Sequence, residues 1–313
     1  MKIPYYFVFP EQNTATKVAV GKLPSWSTLK LFFARQKWLY TWGDVHIVSQ
    51  QLNHRPFFID LVEINTNKDT KIPFMVNGRQ LLLFFMLKGQ VSFSTDIGEP
   101  IVNARHKSFL MLVYEEGKYY FKTEKGCHMA LVISILPEWI ASISDNLPNL
   151  KKLVEIFDSE VHSYTVMNQC KIDRKVSRWL LEIYRSSVNN LGAMDGNLRK
   201  YISSILENYN FKIDISQSNL AIEVKRYIQN HYSDSNLNVR FLADYFSVTE
   251  RTLLNHFKRE YNVSVQYCYT NLRMRTAMQL ESQGLSVKNI YSQVGYLDEH
   301  SFRKTFRKYK KSL

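Results

Sequence analysis

The sequence has few cysteines and no long apolar run. Three of its 313 residues are cysteine, they lie far apart, and no Cys-x-x-Cys pair occurs, which excludes a disulfide framework and a zinc ribbon. The longest apolar stretches, such as 81–87, fall well short of the ~20 residues of a membrane-spanning helix. The N-terminal segment also lacks the apolar length and cleavage site of a secretory signal. We therefore expect a cytoplasmic protein in a reducing compartment, with no membrane partner.

Motifs for catalysis and metal binding are also missing. The sequence has no Gly-x-Ser-x-Gly, no glycine-rich phosphate loop and no His-Glu-x-x-His helix. The histidines are scattered, and no His-x-His pair places two metal ligands on one strand. We therefore expect no catalytic residue, no metal site and no cofactor, and we interpret each histidine as a surface or hydrogen-bonded polar residue.

Acidic residues are few relative to basic ones. The chain has 41 Lys and Arg against 28 Asp and Glu, a formal net charge of +13. Such a charge attracts polyanions but does not choose between nucleic acid and an anionic membrane surface. Residues 218–313 hold 15 of the basic and 8 of the acidic residues, and residues 301–313 contain six basic residues and no acid. The sequence therefore places the surface for an anionic partner at the C-terminus.

Between residues 45 and 135 the pattern is typical of strands. Short runs of Val, Ile, Phe and Leu alternate with clusters of Asn, Asp, Gly and Lys. Many strands at a spacing of about ten residues favour an antiparallel barrel or jelly roll. The predicted strands are 45–49, 57–64, 81–87, 91–95, 109–114, 119–123 and 129–135.

After Pro137 the apolar period changes from two to about 3.6, which predicts helices, among them 173–187 and 197–208. Their apolar stripes either pack against the sheet or form a subunit interface. The sequence thus predicts an α+β fold of two domains. They are 1–212, a β-barrel with helices from about 137, and 220–313, an all-α domain, joined by a linker over 213–219.

Residues 237–259 have the pattern of a helix-turn-helix. Two short apolar stripes at helical spacing are separated by a break at Ser247 and Val248. Thr249 follows the break and is the predicted N-cap of the second helix. The pattern alone is moderately specific, because many helical hairpins share it.

A second copy of the pattern occupies residues 286–308. Gly295 supplies the break, and Asp298, 49 residues after Thr249, is the predicted N-cap of the second helix. A long helix over 265–283 joins the two copies. Two such units could place recognition helices in successive major grooves about 34 Å apart.

Several short motifs recur here in a fixed order: Phe257-Lys258, Tyr269 with Arg273, Ala277 and Leu280, Ser286-Val287-Lys288-Asn289-Ile290, Val294-Gly295-Tyr296, Ser301-Phe302 and Phe306-Arg307-Lys308. These motifs resemble the signature of the AraC/XylS family of transcription factors. The resemblance implies a C-terminal double helix-turn-helix that binds promoter DNA, and a cupin-like N-terminal domain for sensing or dimerisation. It also implies a homodimer, a small-molecule effector, and RNA polymerase as a partner if the protein is an activator. Asn262 and Tyr291 depart from the family pattern, where Gly and Ala are usual.

The resemblance assigns candidate DNA contacts to the two recognition helices. Arg251 suits the O6/N7 edge of guanine and Asn255 the N6/N7 edge of adenine. For any single residue, a solvated surface charge is the alternative interpretation. The predicted base-reading residues are Arg251, Thr252, Asn255, Glu299, His300, Arg303 and Lys304. The predicted phosphate contacts are Lys258, Arg307 and Lys308.

The inward face of the predicted strands offers candidates for effector binding, although a packed apolar core explains each of these residues as well. The candidates are Phe84, Met86, Phe93, Leu110 and Tyr120.

Two other classes of function are considered. A DNA-repair enzyme that carries an AraC-type module would need a nucleophilic cysteine, and Cys127, in Lys-Gly-Cys-His, comes nearest. A basic membrane-surface or structural protein would explain the charge but not two correctly spaced helix-turn-helix units. We therefore predict a sequence-specific transcriptional regulator.

Overall fold

The computed structural model describes residues 2–8, 16–159, 164–213 and 220–311. The chain forms two compact units. Unit 1 consists of Met1–Asp96 and Ala104–Ile215, and unit 2 of Ile97–Asn103 and Ser216–Leu313. Of the predicted linker 213–219, all but Ile213 lies outside the described residues.

The strands in the described part of the chain pair antiparallel and form two sheets. The strands are β1 (Tyr5–Phe7), β2 (Thr16–Ala19), β3 (Gln36–Trp42), β4 (Val45–His54), β5 (Phe57–Thr66), β6 (Thr70–Val76), β7 (Gln80–Lys88), β8 (Val91–Thr95), β9 (Pro100–Ala104), β10 (Ser108–Tyr114), β11 (Gly117–Thr123), β12 (Gly126–Ile135), β13 (Tyr164–Val166) and β14 (Cys170–Lys171). One sheet has the order β1-β6-β11-β8-β9, and the other has the order β13-β10-β7-β12-β5-β4-β3-β2, with β14 beside β10.

All seven predicted strands are confirmed, as β4, β5, β7, β8, β10, β11 and β12. The sequence missed β1, β2, β3, β6, β9, β13 and β14. Strand β6 contains Pro73, which weakens a strand signal because proline cannot donate to the sheet. Several of the other missed strands are short. They are extended because they pair with neighbouring strands, and their own sequences carry little strand signal.

Twelve of the described strands precede the helices in chain order, and only β13 and β14 lie among the helices. This separation of strands and helices confirms the predicted α+β class. The helix Arg174–Tyr184 begins after Asp173, whose carboxylate accepts a hydrogen bond from Val176 N at 2.9 Å. The predicted helix 197–208 is the inner part of a longer one. The helices are α1 (Pro137–Ile143), α2 (Pro148–Asp158), α3 (Arg174–Tyr184), α4 (Leu191–Lys212), α5 (Leu220–His231), α6 (Val239–Tyr245), α7 (Glu250–Tyr261), α8 (Val265–Ser282), α9 (Val287–Gln293) and α10 (Glu299–Lys310).

The core of unit 1 lies between one sheet face and helices α1 to α4. Phe85 and Phe109 stack at 5.4 Å between ring centres, and Phe109 meets Tyr209 of α4 at 5.3 Å. The Tyr209 hydroxyl donates to Asn168 O at 2.7 Å and accepts from Met111 N at 3.1 Å. The apolar stripes of α3 and α4 therefore pack against the sheet, as one of the two interpretations predicted.

Unit 2 has two small cores, one for each helix-turn-helix. Leu253 and Phe257 of α7 are buried in the first, and Phe302 and Phe306 of α10 in the second. No helix among the described residues is long and apolar enough to cross a membrane.

Residues 97–103, which precede β10 in sequence, are held within unit 2 by polar contacts. Gln229 Nε2 donates to Glu99 Oε1 at 2.6 Å, and Lys225 Nζ lies 3.3 Å from the same oxygen. Lys225 is buried and also donates to the carbonyl of Pro100. Such a buried ammonium needs these partners, because an unpaired buried charge is strongly destabilising.

Candidate nucleic-acid interface

The first recognition helix, α7, is capped at both ends. Thr249 Oγ1 accepts from Thr252 N at 3.1 Å, as the sequence predicted. Asn262 ends the helix in the left-handed region, with φ of 57°, and its N–H donates to Lys258 O at 2.8 Å. Asparagine thus takes the position usually held by glycine, since it enters this region more readily than most residues do.

The exposed face of α7 carries three of the predicted DNA contacts. Arg251, Asn255 and Lys258 are exposed and lie at i, i+4 and i+7, which places them on one face. Thr252 is half-buried, and its hydroxyl lies 2.8 Å from Thr249 Oγ1. The Thr252 hydroxyl is therefore already engaged at the N-cap.

The second recognition helix, α10, is built in the same way. Asp298 Oδ1 accepts from Ser301 N at 2.8 Å, and hydrogen bonds from Ser301 lower the pKa of this carboxyl. Arg303 is exposed and donates from Nε to Glu299 Oε1 at 2.6 Å, so these two predicted base-reading residues form a pair. The other predicted contacts, all exposed, are His300, Lys304, Arg307 and Lys308.

A buried arginine on α8 joins the two helix-turn-helix units. Arg273 donates from Nε to Tyr232 O and from Nη2 to Asp234 O, both at 2.7 Å. Its guanidinium lies 5.1 Å from the ring centre of Tyr269 and 5.5 Å from that of Tyr296. Tyr232 and Asp234 precede α6, whereas Tyr296 precedes α10. Within unit 2, Arg273 therefore connects the first helix-turn-helix to the second.

Two segments of the chain, at Gly295 and at Ser233, approach each other closely beside Arg273. Gly295 has φ of +82°, and a Cβ placed on it would lie 2.7 Å from Ser233 O and 3.0 Å from Arg273 Nη2. Glycine is required here on both counts, because a side chain would be strained and would strike backbone. We name Arg273, Gly295 and the loop 232–234 the junction.

Two features of unit 2 were not predicted from the sequence, the exposed Leu297 and the buried Arg273. Leu297 is 80% exposed immediately before the cap of α10, where an apolar side chain suits the methyl group of thymine. Arg273 belongs to the AraC/XylS motif, but its burial between the two helix-turn-helix units has no local signal, because its partner Tyr232 lies 41 residues earlier in the chain. The sequence did contain a signal for Leu297, because it is an apolar residue immediately before the predicted N-cap Asp298.

The interior of unit 1 contains an apolar cavity of about 60 Å³ between the two sheets. Of the residues predicted to bind an effector, Phe84 and Phe93 line it, while Met86 and Leu110 are buried elsewhere on the strands. The structure places Tyr120 differently. Its neighbour Phe121 lines the cavity, whereas Tyr120 is half-exposed, with the ammonium groups of Lys71 and Lys118 at 4.1 and 5.5 Å from its ring centre.

A buried carboxylate lies on the same sheet face. Asp60 is fully buried and accepts hydrogen bonds from Tyr5 Oη at 2.8 Å, Ser49 Oγ at 2.8 Å and Gln51 Nε2 at 3.2 Å. Burial raises the pKa of Asp60 to about 6 from 3.8, although these donors oppose the shift.

Asp60 should make the stability of unit 1 depend on pH. The folded carboxyl binds its proton more tightly than the unfolded chain does, so its contribution is complete below about pH 4 and is lost as the pH rises through about 6. A shift of this size corresponds to about 3 kcal/mol. We expect Asp60→Asn to flatten the pH dependence of unfolding free energy across this window, measured by urea denaturation. Asp145→Asn, which removes an exposed carboxylate, is the control, and parallel profiles for wild type and D60N would contradict the assignment.

Cys127 has no basic partner in its described contacts that would activate it. Its thiol is exposed and lies 3.4 Å from Asn65 Oδ1. The adjacent His128 is engaged elsewhere, with Nε2 at 2.8 Å from Glu124 O and Nδ1 accepting from Gln90 N. Nothing in this geometry favours the DNA-repair alternative. Within the residues that the structure describes, no cluster of three or more His, Cys, Asp or Glu could hold a metal ion.

Two capped recognition helices joined by a long helix define a helix-turn-helix DNA-binding module. A family model described as "Helix-turn-helix domain" matches residues 242–313. The predicted resemblance to AraC/XylS regulators is confirmed for this module.

Known proteins similar to the chain match over part of its length. The raffinose operon transcriptional regulatory protein RafR of Pediococcus pentosaceus is 35% identical over 30% of the chain and 32% of its own length. The Msm operon regulatory protein of Streptococcus mutans is 29% identical over 40% of the chain and 46% of its own length. Thus less than half of either relative is covered. The solved C-terminal domain of AraT, a response regulator from Geobacillus stearothermophilus, is 32% identical over 29% of the chain and 76% of that domain, with a TM-score of 0.28.

Proposed function

We propose that the protein is a sequence-specific DNA-binding transcriptional regulator that reads two adjacent major-groove segments. The observation that carries the proposal is the pair of recognition helices, each with buried aromatic residues on one face and polar, mostly basic side chains on the other. The junction supports the proposal, because two recognition helices held at a fixed separation recognise a longer DNA site than either helix alone. The two relatives are named as operon regulators, and we assign the same role to this chain.

Selection of bound duplexes from a random DNA pool tests the proposal. A recovered motif with two segments about one helical turn apart is the expected result, with log affinity falling linearly with log salt concentration. The selection is run with and without cell extract, so that dependence on an effector is read in the same experiment. Binding to the recovered motif no tighter than to random DNA at any salt concentration would refute the proposal.

Substitutions on α7 separate base contacts from phosphate contacts. Arg251→Ala and Asn255→Ala should each cost about 1–3 kcal/mol of binding and relax preference at one base pair. Lys258→Ala should weaken binding to all sequences alike and lower the salt slope by about 1. Affinities for the selected motif and its single-base variants measure both effects. A uniform loss for R251A across the variants would reassign Arg251 to a phosphate.

Unit 1 is the proposed sensing and dimerisation domain. Its two antiparallel sheets around an interior cavity are consistent with a cupin-like domain. An effector would act by binding one arrangement of the protein better than another. The exposed leucines Leu181 and Leu191 on α3 and α4 support a homodimer. We propose RNA polymerase as a partner if the protein is an activator, and a cytoplasmic location because the protein acts on promoter DNA.

A further inference from the structure

The two helix-turn-helix pairs end their first helix with the same backbone turn. Ser247 in the first pair and Gly295 in the second have positive φ, of 53° and 82°. The next residues, Val248 and Tyr296, each donate a backbone hydrogen bond of 2.9 Å to the carbonyl group five residues earlier. A left-handed residue followed by such a bond is a Schellman motif. Ser247 therefore corresponds to Gly295, and Val248 corresponds to Tyr296.

The turn of the second helix-turn-helix is one residue longer than that of the first. In the first, Val248 is followed directly by Thr249, the N-cap of α7. In the second, Leu297 stands between Tyr296 and Asp298, the N-cap of α10. From the N-cap onward the two pairs correspond again, because each cap accepts a hydrogen bond from the N–H three residues later. Leu297 is therefore an additional residue without a counterpart in the first helix-turn-helix.

Leu297 makes little contact with the core of its own helix-turn-helix. An apolar residue just before an N-cap commonly packs against the fourth residue of the helix. In α10 that residue is Phe302, which is fully buried, whereas Leu297 is 80% exposed. Val248, just before the N-cap of α7, does pack against the first core. A single exposed leucine is ordinary on a protein surface, but this one occupies a position where apolar residues usually pack.

The residues on either side of Leu297 are held in place. The Tyr296 ring lies 5.4 Å from the Phe302 ring between centres, and its centre lies 5.5 Å from the guanidinium of Arg273. On the other side, the Asp298 carboxylate caps α10. Because both neighbours are held, the backbone of Leu297 has little freedom left to lose on binding, which favours a contact made by its side chain.

The position and surroundings of Leu297 favour DNA as its partner. Lys304, Arg307 and Lys308 are exposed on the same helix and attract a polyanion. In helix-turn-helix proteins the N-terminal end of the recognition helix contacts the base edges. A leucine side chain has no hydrogen-bonding group. Among the groups that base pairs present in the major groove, it therefore fits the C5-methyl group of thymine.

We propose that Leu297 packs against the C5-methyl group of one thymine, so that the second recognition helix prefers thymine at that base pair. The inference rests on the proposed function and adds an apolar base contact to the predicted polar ones. 5-Methylcytosine carries a methyl group on the same ring carbon. Methylation of a cytosine placed at this position therefore restores the contact, and binding at this base pair is sensitive to DNA methylation.

Replacing single thymines with uracil in the selected DNA site tests the proposal, because uracil differs from thymine only in lacking the methyl group. The affinity of the full chain is measured by fluorescence anisotropy for each thymine on either strand. We expect one position where uracil weakens wild-type binding by about fourfold, which corresponds to the burial of one methyl group. At that position Leu297→Ala should bind both forms equally. A selected site without thymine, or a uracil effect that Leu297→Ala retains at every position, would overturn the proposal.

Cytosine methylation provides a second test at the same position. With a cytosine–guanine pair placed there, 5-methylcytosine should strengthen wild-type binding by about fourfold relative to cytosine. The same methylation should leave the affinity of Leu297→Ala unchanged. Equal affinity of the wild-type chain for the two forms of cytosine would contradict a contact with the methyl group.

Control variants separate base reading from a structural effect. Leu297→Met keeps an apolar side chain of similar volume and should keep the uracil effect. Val188→Ala shortens an exposed apolar side chain in unit 1 and should keep it as well. Urea denaturation checks that all variants are as stable as the wild type, as expected for exposed positions. If Leu297→Ala weakened binding to the thymine and uracil forms by the same factor, Leu297 would have a structural role and the proposal would fail.

The outcome for Leu297 can be distinguished from the outcome for the proposed function. A recovered DNA motif without a thymine preference that depends on Leu297 would refute this inference and leave the regulator function intact. Failure to recover any motif would refute both.

Discussion

Replacing Arg273 with Met should lower the free energy of unfolding of unit 2 by about 3 kcal/mol. Each hydrogen bond from a charged donor contributes roughly 1.5–3 kcal/mol, and the guanidinium makes two, to Tyr232 O and Asp234 O. Methionine keeps much of the packing volume of the stem but leaves both carbonyl groups without this donor. The cation–π contacts with Tyr269 and Tyr296 are lost as well.

The same variant should bind DNA less well when two segments must be read together. Affinity for the full selected site and for a single segment is measured by fluorescence anisotropy, with urea denaturation for stability. We expect the advantage of the full site over the single segment to shrink in R273M, because the separation of the two helices is no longer fixed. Arg240→Met, which removes an exposed guanidinium, is the stability control. Equal loss of stability in both variants would show that Arg273 acts only through its charge.

Gly295→Ala should destabilise unit 2 by about 3 kcal/mol or more, or prevent its folding. A left-handed conformation costs a residue with a Cβ about 1–2 kcal/mol, and forcing atoms into a packed contact costs about 1–3 kcal/mol more. At Gly295 both costs apply, because φ is +82° and the nearest atoms to an added Cβ are the backbone carbonyl of Ser233.

Gly284 provides a matched control in the same unit. It has a similar φ of +88°, but an added Cβ would meet no atom within 4 Å. Gly284→Ala should therefore cost only the conformational term, about 1 kcal/mol. The difference between the two variants in denaturant unfolding measures the close approach at the junction. Equal destabilisation of G295A and G284A would mean that the loop at Ser233 moves aside freely.

Both predictions concern how the two helix-turn-helix units are held together so that they bind one DNA site. If the junction holds them at one separation, mutations there change recognition of a two-segment site without touching DNA. Substitutions at Arg251 or Asn255 act instead at single base pairs. Comparison of the two kinds of variant separates spacing from base reading.

The sequence by itself determined seven of the strands, the change from strands to helices after Pro137, the two helix-turn-helix units, their caps at Thr249 and Asp298, and the breaks between their helices. These features depend on local signals. Apolar period, N-cap residue and a glycine at positive φ act within a few residues of one another, so they can be read along the chain. The predicted DNA contacts on the exposed helix faces follow from the same period and stay predictions.

Only the tertiary structure decided what lies at the junction and inside unit 1. Arg273 is buried because loop 232–234 and Tyr296, distant in sequence, meet around it. Gln36, Gln51 and Asp60 form one row because of strand register, and shifting a strand by one residue would send each side chain to the other face. For the same reason Phe121 lines the apolar cavity, whereas its neighbour Tyr120 points to the other face of β11. Contacts set by register and by long-range packing carry no local signal, and the folded chain alone brings these residues together.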